Sequence, residues 1–248
     1  MDYINIDIDN IEQEHLCCAI SGKMHQAGVD LKKKWIKEQF KNGHVFRKLN
    51  QNGKVFIEYG NLEQEYVPII GDNYLYIYCF WVAGSFKGKG HGKNLVEYCI
   101  EEAKRLDKNG ICIVGNIKKL PFLSDIKFLK TFGFELVDKA EPHFELYALK
   151  LKDCESPKFT DKARKNEIDE EGLVIYYNAE CPYIFNCLEE IKEVCQEYQI
   201  DLKTHYIDTL KKAKDMPCFI NNFVVFYKKK FVTHELLNRN RLIHFLGL

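Results

Sequence analysis

The sequence predicts an α+β fold in which a mostly antiparallel sheet contains one parallel pair of strands. Residues 74–82 are a run of aromatic and branched side chains, which suits a central strand covered on both faces. An amphipathic helix pattern starts at His91, and a short apolar strand follows at residues 111–114. A strand, a crossover helix and a second strand within about forty residues indicate a parallel pair. Asn52-Gly53 between two strand patterns is a hairpin signal, so other neighbouring strands are expected to be antiparallel.

The other elements before residue 153 follow from the spacing of apolar residues. Alternation of apolar and polar residues predicts a first strand over residues 3–8. Helical spacing predicts an amphipathic helix over residues 30–41, with the three lysines at 32–34 on its solvated face. The remaining predicted elements are strands at 45–49 and 54–59, a helix at 122–132, and strands at 135–137 and 144–151.

Apolar periodicity stops between residues 153 and 171, where eleven of nineteen residues are charged. This segment is predicted to be a charged linker or a surface-crossing segment between a first domain at 1–152 and a second at 172–248. The predicted elements of the second domain are a strand at 173–177, a helix that starts at Cys181-Pro182-Tyr183 and runs through residue 198, a strand at 202–207, a Met216-Pro217 step and a strand at 224–227.

Three glycines stand at alternate positions between the central strand and the next helix. Gly88, Gly90 and Gly92 lack Cβ atoms, so the backbone can turn sharply and several N–H groups can approach one anion. The helix that follows adds unpaired N–H groups and the positive end of its dipole. A Walker loop and a Rossmann fingerprint both require a different glycine spacing. The stretch therefore predicts a phosphate-binding loop of another kind.

Residues 87–92, Lys-Gly-Lys-Gly-His-Gly, resemble motif A of the GNAT superfamily of N-acetyltransferases, with Lys87 in the Gln/Arg place. Lysine keeps the charge there but loses the planar fork. Phe132-Gly133-Phe134 resembles the end of motif B. The resemblance implies a GNAT fold with acetyl-CoA as the acyl donor, whose pantetheine arm pairs with the central strand and whose pyrophosphate lies on the loop. The cofactor-binding residues that it implies are Trp81, Val82, Lys87, Gly88, Lys89, Gly90, His91, Gly92, Lys93 and Asn116.

The second domain resembles a thioredoxin fold in the order of its elements. Cys181-Pro182-Tyr183 stands where a redox motif begins, and Pro217 stands where that family carries a cis-proline. A generic small α/β domain is the alternative. Together the two halves resemble bacterial proteins in which a GNAT domain is followed by a YoaP-like domain. This resemblance brings no defined substrate.

An acetyltransferase must hold a thioester beside an amine that loses a proton as it attacks. Glu58, in an otherwise apolar strand, is the candidate general base, and a solvent-facing edge carboxylate is the alternative. Tyr78 shares one strand face with Tyr76 and is a candidate for orienting water or substrate, with core packing as the alternative. Many GNAT enzymes carry a general-acid tyrosine four residues before the motif B glycine, where this sequence has Leu129.

Three functions remain in consideration. The first is N-acetyl transfer from acetyl-CoA directly to an unidentified small-molecule or peptide amine. The second is a non-catalytic acyl-CoA-binding module, which Leu129 favours. The third is a thiol-redox protein acting through the second domain, which is disfavoured because Ile184 occupies the place of the second cysteine of a CxxC motif. Cys181, at a predicted helix start, is the candidate reactive thiol, with Cys218 as its candidate partner.

Composition restricts the partners and the compartment. Thirty-six basic and thirty-six acidic residues cancel, so no net charge attracts nucleic acid or an anionic membrane. The N-terminus lacks the features of a signal peptide and the longest apolar run is too short to span a bilayer, so we expect a cytoplasmic protein. Ten cysteines without a CxxC pair argue against a zinc site or a disulfide framework, so no metal is expected. A homodimer is left open.

Overall fold

The computed structural model describes residues 2–20, 23–220 and 222–248. The first part of the chain forms β1 (Tyr3–Ile6), α1 (Gln26–Phe40), β2 (Val45–Leu49), β3 (Val55–Asn61), β4 (Ile69–Ile70), β5 (Tyr74–Val82), α2 (His91–Arg105), β6 (Gly110–Asn116), β7 (Ser124–Asp125), α3 (Ile126–Lys130), β8 (Glu135–Ala140) and β9 (Phe144–Lys150). The rest forms β10 (Lys158–Phe159), β11 (Leu173–Tyr177), α4 (Tyr183–Glu197), β12 (Leu202–Tyr206), α5 (Leu210–Lys214), β13 (Phe223–Tyr227), β14 (Lys230–Thr233) and α6 (Arg239–Leu246).

The main sheet has the strand order β1-β2-β3-β5-β6-β9-β8, with β7 beside β6. β5 and β6 are parallel, as predicted, and the short β7 also runs parallel to β6, whereas the other neighbours are antiparallel. β5 pairs with β6 only from Tyr74 to Tyr76. The two strands then separate, and β7 occupies part of the gap between their C-terminal halves, because Gly115 of β6 pairs with β9 on one edge and with β7 on the other. This sheet confirms the predicted α+β fold.

β5 carries a bulge near its centre. Glu58 of β3 pairs with Cys79, and the next residue, Tyr59, pairs with Ile77, which leaves Tyr78 as an extra residue in β5. A bulge bends its strand and re-aims the side chains around it. It lies next to the gap between β5 and β6.

Both faces of the main sheet are covered. α2 and α3 cover one face, called the α2 face, where Leu95 packs on Ile57. α1 lies on the opposite face, called the α1 face, where Ile36 packs in one cluster with Phe46 and Phe56. Within the described ranges, no helix is both long enough and apolar enough to cross a membrane.

The second domain contains a sheet of strand order β12-β11-β13-β14. β11 and β12 are parallel, and the other neighbours are antiparallel. α4 and α6 pack on one face of this sheet. The predicted strand, helix and strand before residue 208 are β11, α4 and β12, and the strand predicted at 224–227 lies in β13, whereas α5 was not predicted. The thioredoxin-like assignment stays a prediction. In the described residues the only cis peptide bond precedes Pro142, so the cis-proline expected at Pro217 is not found.

The second domain packs on the α1 face of the main sheet. Ala179 joins the apolar cluster under α1. The ring of Phe219 lies 5.0 Å from that of Phe144 between centroids. Lys214 Nζ donates to the Leu62 carbonyl at 2.9 Å. The two predicted domains therefore share an extended contact.

The charged segment at 153–171 crosses the surface of the first domain. β10 within it pairs with β4. Phe159 and Ala163 are buried, and Arg164 forms an ion pair with Asp138. The division of the chain at 1–152, 153–171 and 172–248 stays a prediction.

The helix predicted over residues 122–132 is wrong in its bounds. Phe122 has a left-handed backbone (φ 59°), and β7 takes up the next part of the segment. The Asp125 side chain accepts the Lys127 N–H at 3.1 Å and caps α3, which is only five residues long.

Candidate active site

The glycine loop, residues 87–93, is exposed between β5 and α2. Gly88 (φ 73°) and Gly90 (φ 82°) have left-handed backbones, which favour glycine. A Cβ atom at either position would meet no atom within 4 Å, so the space around them is open. The first bond of α2 runs from Asn94 N–H to the Gly90 carbonyl (3.1 Å), so the N–H groups of residues 91–93 have no intrahelical acceptor. An anion can therefore approach this loop from solvent.

The side chains of the loop divide into two groups. Lys87, Lys89 and Lys93 are exposed and can add positive charge around an anion. His91 is buried, and its Nδ1 lies 2.8 Å from the Tyr3 hydroxyl, so only its backbone can face a ligand. A Cβ atom at Gly92 would lie 3.3 Å from the rings of Phe80 and Phe128, which excludes a larger residue there without displacement.

Trp81, Val82 and Asn116 lie at the C-terminal ends of β5 and β6, where β7 pairs with Asn116. Trp81 and Val82 lie beyond the last pairing of β5 with β6, and Trp81 is 47% exposed. Asn116 ends β6, where its Nδ2 donates to the His143 carbonyl (2.6 Å) and its Oδ1 accepts the Lys118 N–H (2.7 Å). The Asn116 amide therefore holds two loops at the end of β6 and already has partners.

Four charged side chains form a buried charge cluster on the α1 face: Lys32, His44, Glu58 and Glu65. Lys32 Nζ donates to the two Glu58 oxygens at 2.8 and 2.7 Å. His44 Nε2 lies 3.0 Å from Glu58 Oε1, and His44 Nδ1 lies 3.0 Å from Glu65 Oε1. Glu58 is therefore not the solvent-facing edge carboxylate that was the alternative.

Electrostatics keep the charge cluster ionised. Burial alone would raise the pKa of Glu58, but the Lys32 charge and the His44 hydrogen bond outweigh it and lower that pKa. Burial alone would favour neutral His44, but Glu65 and Glu58 raise the pKa of its ring to about 9. Two cations thus neutralise two carboxylates out of contact with water. A carboxylate with a lowered pKa and occupied oxygens is a weak proton acceptor.

The prediction that residues 32–34 face solvent is wrong for Lys32, which is only 1% exposed. Lys32 lies three and four residues before Trp35 and Ile36, which are also buried, so helical spacing was the signal that could have placed it inward. For His44 and Glu65, the sequence contained no comparable spacing that indicated burial. A Cβ atom at Gly60 would overlap the Glu65 carboxylate, so this close approach requires glycine.

The second domain contributes Glu180 to the same region. Glu180 is 5% exposed, its Oε1 has no hydrogen-bond partner among the described residues, and Tyr78 hydrogen-bonds its side chain. Burial and then the nearby Glu58 charge raise the pKa of Glu180 well above its ordinary value. The Tyr78 hydroxyl also accepts the Tyr66 N–H at 2.6 Å. The two predicted catalytic residues, Glu58 and Tyr78, thus share one buried region.

The thiol predictions are not supported by the geometry. Burial raises the pKa of the Cys181 thiol to about 12, which is opposite to the expected activation. Cys218 is fully buried in the cluster with Met216, and Cys181 packs with the cluster under α4 on the other side of the second sheet. The structure therefore does not bring them together. All ten cysteines are free, and the described residues contain no group of three or more His, Cys, Asp or Glu placed to hold a metal.

A cavity of about 610 Å³ lies at the end of β6. Asn116, His143 and Arg164 are among its lining residues. His143 Nε2 lies 3.3 Å from Nδ1 of His234 in the second domain. Sequence spacing gave no indication of this pair, because the two histidines are ninety-one residues apart.

The chain matches two family models. Residues 8–134 match the acetyltransferase (GNAT) family, and residues 201–244 match the YoaP-like family. A curated relative from Bacillus subtilis (strain 168), described as an uncharacterized N-acetyltransferase YoaP, is 38% identical over 242 residues, which cover 97% of this chain and 96% of the relative.

Solved structures give more distant matches. An acetyltransferase of the GNAT family from Staphylococcus aureus Mu50 is 17% identical with a TM-score of 0.43, covering 61% of this chain and 99% of that one. The acetyltransferase yncA from Salmonella typhimurium, solved with acetyl-CoA, is 16% identical with a TM-score of 0.43, covering 62% and 96%. The match of the family model over half of the chain and the relative at 38% identity decide the assignment. The chain therefore belongs to the GNAT family of acetyltransferases and carries a YoaP-like segment near its C-terminus.

Proposed function

We propose that the protein transfers the acetyl group of acetyl-CoA directly to the nitrogen of a small-molecule or peptide amine. The observation that carries this proposal is the glycine loop, whose open N–H groups lie at the wide end of the gap between β5 and β6. The pyrophosphate is held at residues 87–93, beside the positive end of α2. The pantetheine arm runs along β5 at Trp81 and Val82 and brings the thioester to the gap.

The reaction needs only positioning and proton transfer. The amine nitrogen attacks the thioester carbonyl carbon, the carbon–sulfur bond breaks, and CoA leaves as a thiolate. The amine must lose one proton and the thiolate must gain one. Buried Leu129 cannot supply that proton, so it comes from another group or from solvent.

Glu58 and Tyr78 remain the proposed catalytic pair from the sequence. Tyr78 stays protonated, because burial and the nearby Glu180 raise its pKa well above the ordinary value. For Glu58 to accept the amine proton, a bond from Lys32 or His44 must first open. If neither bond opens, the proposed role of Glu58 is electrostatic, through its negative charge on the α1 face.

Two other functions are the alternatives to this proposal. A non-catalytic acyl-CoA-binding module is favoured by Leu129 and by the occupied oxygens of Glu58. A thiol-redox protein is disfavoured by the raised pKa of Cys181 and by its separation from Cys218. We retain the cytoplasm as the proposed location.

The test is a panel of primary amines incubated with acetyl-CoA and assayed for free CoA thiol. We expect amine-dependent thiol release by the full chain, with a mass gain of one acetyl group on the amine. If calorimetry shows that acetyl-CoA binds but no amine is acetylated, the binding-module function is correct instead.

A further inference from the structure

The cavity at the end of β6 is of a size that suits a small organic molecule. It opens between the segment after Asn116 and the hairpin that joins β8 to β9. Its walls include Ala140 and Phe144, which belong to the core of the α1 face. His143 stands in this wall, partly exposed, with its ring 4.7 Å from that of Phe144 between centroids.

The cavity and the glycine loop lie at the same end of the main sheet. β5 and β6 are parallel, so their last residues, Val82 and Asn116, point in the same direction. The glycine loop continues into α2, on the α2 face, whereas the cavity wall belongs to the α1 face. β7 fills part of the space between β5 and β6 at this end. The glycine loop and the cavity nonetheless share the end of the sheet at which the thioester is proposed to lie.

A hydrogen bond to the Pro121 carbonyl determines which ring nitrogen of His234 carries a proton, and through it which ring nitrogen of His143 does. A carbonyl oxygen only accepts, so Nε2 of His234, 3.0 Å away, carries a hydrogen. Burial lowers the pKa of His234, so its ring is neutral at pH 7 and its Nδ1 is an acceptor. His143 Nε2 then donates to that Nδ1 across 3.3 Å. Burial also lowers the pKa of His143, so its Nδ1 keeps a free lone pair, and no described residue hydrogen-bonds to it.

We propose that this cavity is the acceptor-amine site and that His143 Nδ1, in place of Glu58, is the base that takes the amine proton. The inference rests on the acetyl transfer proposed above. The amine nitrogen forms its bond to the acetyl carbon, its proton moves to His143 Nδ1, and the carbon–sulfur bond breaks. The proton then passes to the thiolate or to solvent, which restores neutral His143 and leaves an amide and CoA thiol. His234 is a positioning residue, since it holds the tautomer that exposes the Nδ1 lone pair.

The lining charges indicate the class of amine. Lys139 pairs with Glu145, and Arg164 pairs with Asp138 beside the cavity, so the remaining lining charges are Lys118 and Glu141 and they balance. The site is therefore suited to a small primary amine without further charged groups.

The pH dependence follows from the surroundings of His143. Glu141 and Glu235 favour its protonated form, His234 faces it across the hydrogen bond, and the cations that line the cavity oppose protonation. Burial dominates and lowers its pKa. We expect kcat/KM to fall as the pH drops through the pKa of His143, because the protonated ring cannot accept the amine proton.

The experiment compares four variants of the full chain. His143→Asn removes the base, His234→Leu removes the acceptor for His143 Nε2, and His234→Asn keeps an acceptor near the Nδ1 position. His244→Asn alters an exposed histidine of α6 as the matched control. His143→Asn should lower kcat/KM for the best amine by roughly a hundredfold or more, because the base is lost. Its affinity for acetyl-CoA should be unchanged. His234→Leu should lower kcat/KM and shift the acidic limb of its pH profile, and His234→Asn should recover most of the activity that His234→Leu loses. His244→Asn should match the unaltered protein.

Ring ¹⁵N NMR of labelled histidine tests the tautomer without any acceptor. At pH 7.5 we expect His143 to be protonated on Nε2 only, and the His143→Asn spectrum assigns its signals. A proton on Nδ1 overturns the inference. Activity of His143→Asn within threefold of the unaltered protein also overturns it, while the proposed function stands. If the unaltered protein acetylates no amine, the proposed function fails and this inference fails with it.

Discussion

At the residue scale, each buried charge of the charge cluster is balanced by a neighbouring residue of opposite charge. Desolvating a charged group is unfavourable by several kcal/mol, and direct hydrogen bonds offset this only when every charged atom has a partner. Lys32 and His44 together satisfy both oxygens of Glu58. Removing one member therefore leaves another charged and unpaired in a dry environment. The cluster is thus sensitive to any single neutralising change.

Glu58→Gln should destabilise the folded protein by about 3–5 kcal/mol, because Lys32 keeps its charge and loses its carboxylate. Urea unfolding of the variant and the unaltered protein measures this difference. Glu38→Gln, in an exposed pair with Lys41, is the matched control and should change the stability by about 0.5 kcal/mol or less. Adding Lys32→Met to Glu58→Gln should restore part of the loss. A loss below about 1 kcal/mol for Glu58→Gln would mean that water reaches the cluster.

The raised pKa of His44 predicts a pH-dependent stability. The folded pKa of about 9 exceeds the unfolded value of about 6.5, so the folded state binds this proton more tightly. The stabilisation is full below about pH 6.5 and is lost as the pH rises through about 9, a change of about 3 kcal/mol. The difference in unfolding free energy between the unaltered protein and His44→Gln should therefore shrink from pH 6 to pH 9.5. His244→Asn should leave the pH curve unchanged, and a constant difference for His44→Gln would contradict the prediction.

At the scale of secondary-structure elements, the sequence could predict some features and not others. β5 and β11 have the predicted bounds because continuous branched and aromatic runs mark buried strands. The bulge at Tyr78 and the gap beside β6 depend on pairing between strands distant in sequence, and local patterns do not contain that information. The end of β7 and the start of α3 depend on one capping carboxylate, Asp125. The glycine spacing was informative because it reflects a local backbone requirement.

Gly90→Asp should abolish acetyl-CoA binding, because it places a negative charge where the pyrophosphate is expected. Asn is tolerated in left-handed backbone, so Gly90→Asn is the control that has nearly the same shape without the charge. Open space around Gly90 means that neither side chain should clash within the protein. Isothermal calorimetry should show no binding for Gly90→Asp and weakened binding for Gly90→Asn. Equal affinity in a folded Gly90→Asp variant would refute the assignment of the loop.

The whole molecule is organised by the docking of the second domain on the α1 face. Tyr183 OH donates to the Cys18 carbonyl (3.0 Å), and Asn186 Nδ2 donates to the Met24 carbonyl (2.8 Å). These contacts link α4 to the segment before α1. The sequence indicated two units because apolar periodicity stops and restarts, but it gave no sign of this docking. Contacts between distant segments depend on shape, and single-sequence patterns do not report shape.

Gly28 of α1 lies at a point of close approach between the two domains. A Cβ atom there would overlap the Pro182 carbonyl, so α1 and the start of α4 can pack this closely only with glycine. Helix propensity alone predicts that Gly28→Ala stabilises α1 by about 1 kcal/mol. We expect the opposite at the level of the molecule, because the added methyl group must push the second domain away. Any gain in the helix is then offset by loss of the interdomain contact.

Limited proteolysis measures this effect, since exposed charged segments are preferred cleavage sites once packing is released. The unaltered protein should be cut slowly between residues 153 and 171, because β10 and Phe159 hold that segment on the first domain. Gly28→Ala should be cut there several times faster and should yield two resistant fragments. Lys34→Ala, at an exposed position of the same helix, is the matched control and should be cut at the original rate. If Gly28→Ala resists cleavage as well as the control, the interface accommodates the methyl group, and the close packing at Pro182 does not hold the domains together.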